Sequence, residues 1–143
     1  MSLKQHFYFY EALAESAVLA TMYIKIDKSQ RDTYCYEFHL ARPNPQNLSN
    51  SDFADIEVHV KYMTFNRQNQ RQPLQGGPFR KLGVVHANET YPADGKFKPA
   101  QFELPNRLGD FVQLFINAKR GKTIDTDVLI DDVMVYNEPC QAQ

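Results

Sequence analysis

Two Glu-x-His pairs are the side chains best suited to contact hydroxyl groups or to move protons. Glu37 lies two residues before His39. Glu57 lies two residues before His59. Each pair shares one face of an extended strand, because side chains there alternate with a period of two. If the two strands are neighbours in one sheet, both pairs and Lys61 form one polar patch. Such a patch suits sugar hydroxyls or the acid–base chemistry of a lyase or hydrolase. The simpler alternative is a solvated outer sheet face.

A second candidate surface combines aromatic rings with side-chain amides. Alternation over DFVQLFINA predicts that four residues share one strand face: Phe111, Gln113, Phe115 and Asn117. Sugar C–H faces stack on rings, and an amide satisfies hydroxyls as both donor and acceptor. Two interpretations have equal standing here. The face binds a glycan, or Phe111 and Phe115 belong to the core.

The stretch DTDVLIDDVMVYN, from Asp125 to Asn137, carries four carboxylates in a segment that otherwise looks like a buried strand. Strict alternation puts Asp131 on the same face as Val133 and Val135. If that face is the core, a bare carboxylate costs on the order of several kcal/mol unless it is paired or binds a cation. Calcium, which takes about six to eight oxygen ligands, is one solution. The other solution is a hydrogen bond from backbone N–H groups or a pair with a nearby Arg or Lys. Either solution gives the aspartates a structural role.

The elements that must position these residues are strands. Alternation predicts clear strands over 32–41, 55–65, 110–118 and 128–136, and weaker ones over 7–10, 18–26, 81–87 and 100–104. The run NRQNQRQPLQGGP is predicted to be a long polar loop. Short strands separated by Pro, Gly and Asn are typical of an all-β sandwich or barrel. We predict a single domain over 1–143, excised from a longer protein, with residues 1–3 derived from a vector.

Composition argues against several classes of function. The 143 residues carry a formal net charge of −1, which offers no excess of cations for the phosphates of nucleic acid. No apolar run approaches the roughly 20 residues of a membrane span. Cys35 and Cys140 are either paired in an oxidising compartment or both free, and their spacing gives no zinc signal. No GxSxG, HExxH, GxGxxG or P-loop motif is present.

The last third of the chain has a recognisable order of strands. GVVHANETYPADGKFKPAQFELPNRLGDFVQLFINAKRG, followed by VLIDDVMVYN, resembles the C-terminal half of jelly-roll carbohydrate-binding modules of the galactose-binding-like group. The resemblance implies an antiparallel jelly-roll β-sandwich. It also implies a structural calcium ion, held by an aspartate that matches Asp131 and by an N-terminal segment in which Glu11 or Glu15 is the candidate ligand.

Together these features favour a non-catalytic carbohydrate-binding module of a larger secreted or periplasmic protein, with no nucleic-acid or membrane partner. A poly- or oligosaccharide is expected on the concave sheet face, where Phe115 stacks on the sugar, as does Tyr23 if its strand joins that sheet. Hydrogen bonds are expected from five polar side chains: Gln113, Asn117, His39, Glu57 and His59. One alternative is a structural or protein-interaction sandwich domain. The other is a small polysaccharide lyase or hydrolase.

Overall fold

The computed structural model describes residues 4–5, 8–10, 16–26, 33–65, 74–105, 108–123 and 125–141. Ten strands and one short 3-10 helix, Asn50–Asp52, lie in these ranges. No helix in these ranges is long and apolar enough to cross a membrane. The strands are β1 Lys4–Gln5, β2 Tyr8–Tyr10, β3 Ser16–Ala20, β4 Ile24–Lys25, β5 Thr33–Ala41, β6 Ile56–Phe65, β7 Leu74–Val85, β8 Lys98–Pro105, β9 Phe111–Lys119 and β10 Val128–Tyr136.

The strands form two antiparallel sheets. The first sheet has the order β1-β10-β5-β8, with β2 also paired to β10. The second sheet has the order β3-β9-β6-β7, with β4 also paired to β9. The chain passes repeatedly from one sheet to the other, so that β5, β8 and β10 lie in the first and β6, β7 and β9 in the second. This course is that of a jelly roll, and the antiparallel β-sandwich predicted from the sequence is confirmed.

The core lies between the two sheets and follows from the alternation of the sequence. Every second residue of β6, from Ile56 to Tyr62, is fully buried in it, as are Leu114 of β9 and Ile130 of β10. Burial of each such aliphatic side chain stabilises the fold by roughly 1.5–3 kcal/mol. Because the even-numbered residues of β6 and β9 face inward, the odd-numbered residues between them lie on the outer face of the second sheet.

A β-bulge explains the adjacent aspartates of β10. Asp131 pairs with His39 of β5, but the register shifts before Met134. Asp132 adopts a positive φ of 50°, which Asp tolerates better than most residues. The bulge breaks the alternation, so Ile130 and Val133 are both buried while both aspartates are partly exposed. The prediction that Asp131 shares the core face with Val133 is therefore wrong, because it assumed strict alternation.

Two other elements differ from their predictions. β7 begins at Leu74, inside the stretch predicted to be a polar loop. The strand predicted over 18–26 is divided into β3 and β4 by Thr21, which is almost fully buried. The N–H of Thr21 donates to the Leu114 carbonyl at 3.0 Å, and its Oγ1 accepts from the Leu114 N–H at 3.0 Å. The hydroxyl thus takes the place of a backbone carbonyl, and the edge of the sheet bends there without leaving these groups unpaired.

A disulfide joins Cys35 of β5 to Cys140, which follows β10. It decides between the two alternatives that the sequence left open for these cysteines. The cross-link spans 105 positions of sequence and fixes the C-terminal segment against the outer face of the first sheet.

Candidate functional site

Cross-strand pairing brings five of the predicted site residues together on the outer face of the second sheet. His59 of β6 lies opposite Phe115 of β9. Glu57 lies opposite Asn117 in the adjacent row of outward-facing residues. Lys61 lies opposite Gln113 on the other side of the His59 row. Directly opposed side chains of an antiparallel pair contact each other, so these rows form one continuous surface.

The most distinctive feature of this face is a partly exposed aromatic cluster, made of His59, Phe79 and Phe115. The rings of His59 and Phe79 are stacked, with centroids 5.1 Å apart and planes 9° apart. Phe79 meets Phe115 edge-on at 5.8 Å and 66°. Phe79 is 59% exposed, an unusual position for a large apolar ring. The sequence did not point to Phe79, because it follows Gly76, Gly77 and Pro78 in a run without alternation.

Glu57 is the carboxylate of this face, and two lysines neutralise it. Its Oε1 lies 3.2 Å from Lys81 Nζ, and its Oε2 lies 3.7 Å from Lys119 Nζ. The hydrogen bond from Lys81, followed by the charge of Lys119, lowers the pKa of Glu57 below its usual 4.5. The carboxylate is therefore ionised at neutral pH, which suits an ion pair and does not suit a general acid.

The amides of β9 differ in what they bind. Gln113 Nε2 donates to the Thr21 carbonyl at 3.1 Å, which ties β9 to the bend between β3 and β4. Asn117 Oδ1 is buried and has no hydrogen-bond partner among the described residues. Tyr23 is half-exposed in the same bend, directly before the Ile24–Val112 pair. Asn117 Oδ1 is therefore an unused acceptor that is shielded from solvent, whereas one donor of Gln113 is already bound.

His39 does not lie with these residues. β5 belongs to the first sheet and β6 to the second, so the predicted combined patch of both Glu-x-His pairs is wrong. His39 Nδ1 lies 3.5 Å from Asp132 Oδ2, beside the bulge of β10. The prediction failed because local alternation tells which residues of a strand share a face, but does not tell which sheet the strand joins.

Glu37 lines a separate polar cleft on the outer face of the first sheet. The cleft has a volume of about 220 Å³ and lies beside the C-terminal segment, with Glu138 on its wall. Glu37 accepts hydrogen bonds from Gln101 Nε2 at 2.9 Å and from the Tyr136 hydroxyl at 3.3 Å. Burial, followed by the charge of Glu37, raises the pKa of Tyr136. These bonds hold Glu37 in place without a ligand.

The proposed calcium ligands are only partly within the described residues. Glu11 and Glu15 lie outside them. Asp131 Oδ1 accepts the N–H of Asp132 at 2.8 Å. Among the described residues no group of three or more His, Cys, Asp or Glu side chains is arranged to hold a metal ion. The calcium site therefore stays a prediction.

Comparison with known proteins gives remote similarities only. No family model matches the sequence, and no curated protein matches it. Among solved structures, the carbohydrate-binding module CBM4 is 15% identical, with a TM-score of 0.45 over 83% of this chain and 59% of its own. The K3 adhesin domain of Lys-gingipain from Porphyromonas gingivalis w83 is 15% identical, with a TM-score of 0.38 over 84% of this chain and 63% of its own.

The CBM22-1 xylan-binding domain of Paenibacillus barcinonensis Xyn10C is 8% identical, with a TM-score of 0.39 over 80% of this chain and 59% of its own. The present chain thus spans less than two thirds of each of these three chains. Two of the three are carbohydrate-binding modules, the class that the segment from Gly83 to Asn137 resembles. Similarities at this level assign no function to this chain.

Proposed function

We propose that this chain is a non-catalytic carbohydrate-binding module that holds a glycan on the outer face of its second sheet. The observation that carries the proposal is the aromatic cluster, in which Phe79 is 59% exposed and contacts the rings of both His59 and Phe115. A fixed, exposed ring offers the flat apolar surface on which the C–H face of a pyranose stacks. The cluster spans two adjacent cross-strand rows, with His59 and Phe115 in one and Phe79 in the next.

Polar side chains lie beside the cluster in the neighbouring rows of the same sheet. Asn117 lies on β9 two residues from Phe115. Lys61 lies on β6 two residues from His59. A carbohydrate site combines apolar contact with a few polar groups that fix orientation, and this face has both. His39 does not take part in this proposal, because it lies in the other sheet.

A binding role is favoured over catalysis by the state of Glu57. Hydrolysis of a glycosidic bond ordinarily needs two carboxylates at a defined separation. Glu57 is the one carboxylate that the described strands of the second sheet carry, and both its oxygens face lysines. We propose further that the chain serves as an accessory domain of a larger protein in an oxidising compartment, which the Cys35–Cys140 disulfide favours.

The test is a binding assay on a panel of soluble and insoluble polysaccharides, with Phe79→Ala beside the wild type. Phe97→Ala is the matched control, because Phe97 is 45% exposed but precedes β8 of the first sheet. We expect Phe79→Ala to weaken retention by about 30-fold or more, as for a central interface residue, with an unchanged melting curve. The proposal would be overturned if the Phe79→Ala variant retained polysaccharide as well as the wild type does. It would also be overturned if Phe97→Ala weakened retention equally. Failure of the wild type to bind any glycan would move the preference to a protein-interaction domain.

A further inference from the structure

The two sheets carry opposite charge, although the whole chain is nearly neutral. The strands of the second sheet hold five basic side chains against one carboxylate: Lys25, Lys61, Arg80, Lys81 and Lys119 against Glu57. Where side chains are described, the strands of the first sheet hold four carboxylates against one lysine: Glu37, Glu103, Asp131 and Asp132 against Lys98. The formal net charge of −1 therefore hides a separation of charge between the faces of the sandwich.

The lysines of the second sheet lie in the same outward-facing rows as the aromatic cluster or in rows beside it. Lys81 lies opposite His59 across the β6–β7 pair. Lys61 lies opposite Phe79 in the same pair of strands. Lys25 lies opposite Phe111 at the far end of β9. Lysine ammonium groups on flexible stems can reach a ligand that lies over the rings, and together they give this face a positive potential.

Glu57 offsets part of this charge and holds two of the ammonium groups in place. It lies 3.2 Å from Lys81 Nζ and 3.7 Å from Lys119 Nζ. Lys81 and Lys119 are half-exposed in spite of these ion pairs, so both can also contact a ligand. A ligand with hydroxyl groups alone leaves this excess of cations unused, whereas carboxylate or sulfate groups form charge-assisted hydrogen bonds with it.

Resting on the proposed function, we infer that the glycan bound on this face is anionic and carries carboxylate or sulfate groups. Its sugar rings stack on the aromatic cluster, and its acidic groups lie against Lys25, Lys61, Lys81 and Lys119. Glu57 then positions lysines and does not itself contact the sugar. Removing a residue that contacts the ligand weakens binding, but the opposite is expected for Glu57. Glu57→Gln frees two ammonium groups and therefore strengthens binding of the glycan.

The test compares polygalacturonate with its methyl ester, which has the same sugar backbone without the charge. We expect the acid to bind at least about tenfold more tightly than the ester. This difference in affinity should shrink as salt screens the charges. Lys61→Gln should weaken binding of the acid several-fold, and Glu57→Gln should tighten it several-fold. Lys96→Gln, which lies outside the strands, is the matched control and should change binding of neither the acid nor the ester. Dextran sulfate against dextran then shows whether sulfate is also accepted.

The outcomes separate this inference from the proposed function. Equal binding of acid and ester, or weaker binding in Glu57→Gln, would overturn the anionic ligand while leaving a glycan-binding module. Binding of no polysaccharide of either kind would overturn both. Equally tight binding of poly-L-glutamate or single-stranded DNA would also overturn the inference, since it would show that the face is a general cation exchanger.

Discussion

His59 and Phe79 stack face to face, with ring centroids 5.1 Å apart, although they are not directly opposed across the β6–β7 pair. Lys81 is the residue opposite His59, and Phe79 is opposite Lys61. The rings thus meet diagonally, which is within the reach of aromatic side chains in an antiparallel pair. The imidazole and the ring of Phe115 together support this phenyl ring at the edge of the sheet.

This relationship predicts that the ring of His59 matters and its nitrogens do not. His59→Phe keeps an aromatic surface under Phe79 and should leave glycan affinity within about twofold. His59→Ala removes that surface, and loss of an aromatic pair worth about 0.5–1.5 kcal/mol should weaken binding roughly two- to tenfold. Isothermal titration calorimetry with the tightest ligand of the panel measures both.

Equal weakening in the two variants would contradict this account and show that an imidazole nitrogen contacts the ligand. Product analysis on the same samples checks the enzyme alternative. Cleavage of an oligosaccharide by the wild type that both variants abolish would make His59 a proton-transfer group instead.

The sequence predicted β5, β6, β9 and β10 closely because each has strong period-two alternation. Where alternation is strong, the sequence tells which residues share a face, and it groups Glu57 with His59 and Phe115 with Asn117. Alternation alone does not tell whether the face of Phe115 is the core or a binding surface. Phe79 was missed because β7 is an edge strand with register shifts at two places and a proline within it. Edge strands tolerate both features, and both remove the periodic signal.

Which strands become neighbours could not be predicted from local pattern. The sequence between Ala41 and Ile56 gives no sign that the chain crosses to the other sheet, so His39 was grouped with His59. The charge separation was hidden for the same reason, because a net charge of −1 says nothing about which strands share a sheet. Pairing of distant strands is decided by packing of the whole core.

The bulge at Asp132 predicts an order of stability among its variants. Asp132→Gly and Asp132→Ala both remove the carboxylate and its contact with His39, so the difference in stability between the two variants isolates the backbone. Alanine at a φ of 50° bears the left-handed penalty and glycine does not, so the alanine variant should be less stable by about 1–2 kcal/mol. Urea unfolding of the two variants measures this difference. Equal midpoints would show that the bulge relaxes when the aspartate is removed.

The calcium prediction is tested by melting the protein with and without chelator. An ion shared by Asp131 and by Glu11 or Glu15 would bind the folded state alone, so its removal should lower the midpoint by several degrees. Asp131→Asn should have the lower midpoint already and should not respond to chelator. If chelator leaves the melting midpoint of the wild type unchanged, the calcium prediction is wrong.

The Cys35–Cys140 disulfide should contribute strongly to stability. Closing a loop of 105 positions restricts the unfolded chain, and chain-entropy arguments give about 4–5 kcal/mol for a loop of this size. The double variant Cys35→Ser with Cys140→Ser should therefore unfold at much lower urea, as should the reduced wild type. Glycan binding by the variant that remains folded should be unchanged, because the cross-link lies on the first sheet. Loss of binding in a folded variant would place the ligand near the C-terminal segment.

Tyr62 predicts how stability changes at alkaline pH. Its side chain is fully buried, and its hydroxyl donates to the Pro105 carbonyl at 2.6 Å. Burial raises the pKa of Tyr62 from the usual 10.0 to about 12. Between these values the unfolded chain binds fewer protons than the folded chain, so the free energy of unfolding falls as pH rises. The contribution of Tyr62 to the free energy of unfolding is present in full below pH 10 and is lost above pH 12. A pKa shift of this size corresponds to about 2–3 kcal/mol.

Tyr62→Phe separates this effect from the other titrating groups. The variant loses a buried hydrogen bond and should be about 1 kcal/mol less stable than the wild type at neutral pH. It has no hydroxyl to ionise at that position, so its stability should fall less steeply between pH 10 and 12, and the two curves should cross there. Tyr91 and Tyr136, whose pKa values are also raised, titrate in both proteins and cancel in the comparison. Urea unfolding of both proteins at several pH values provides the measurement. Parallel curves across this range would mean that the Tyr62 hydroxyl stays protonated or meets solvent before the protein unfolds.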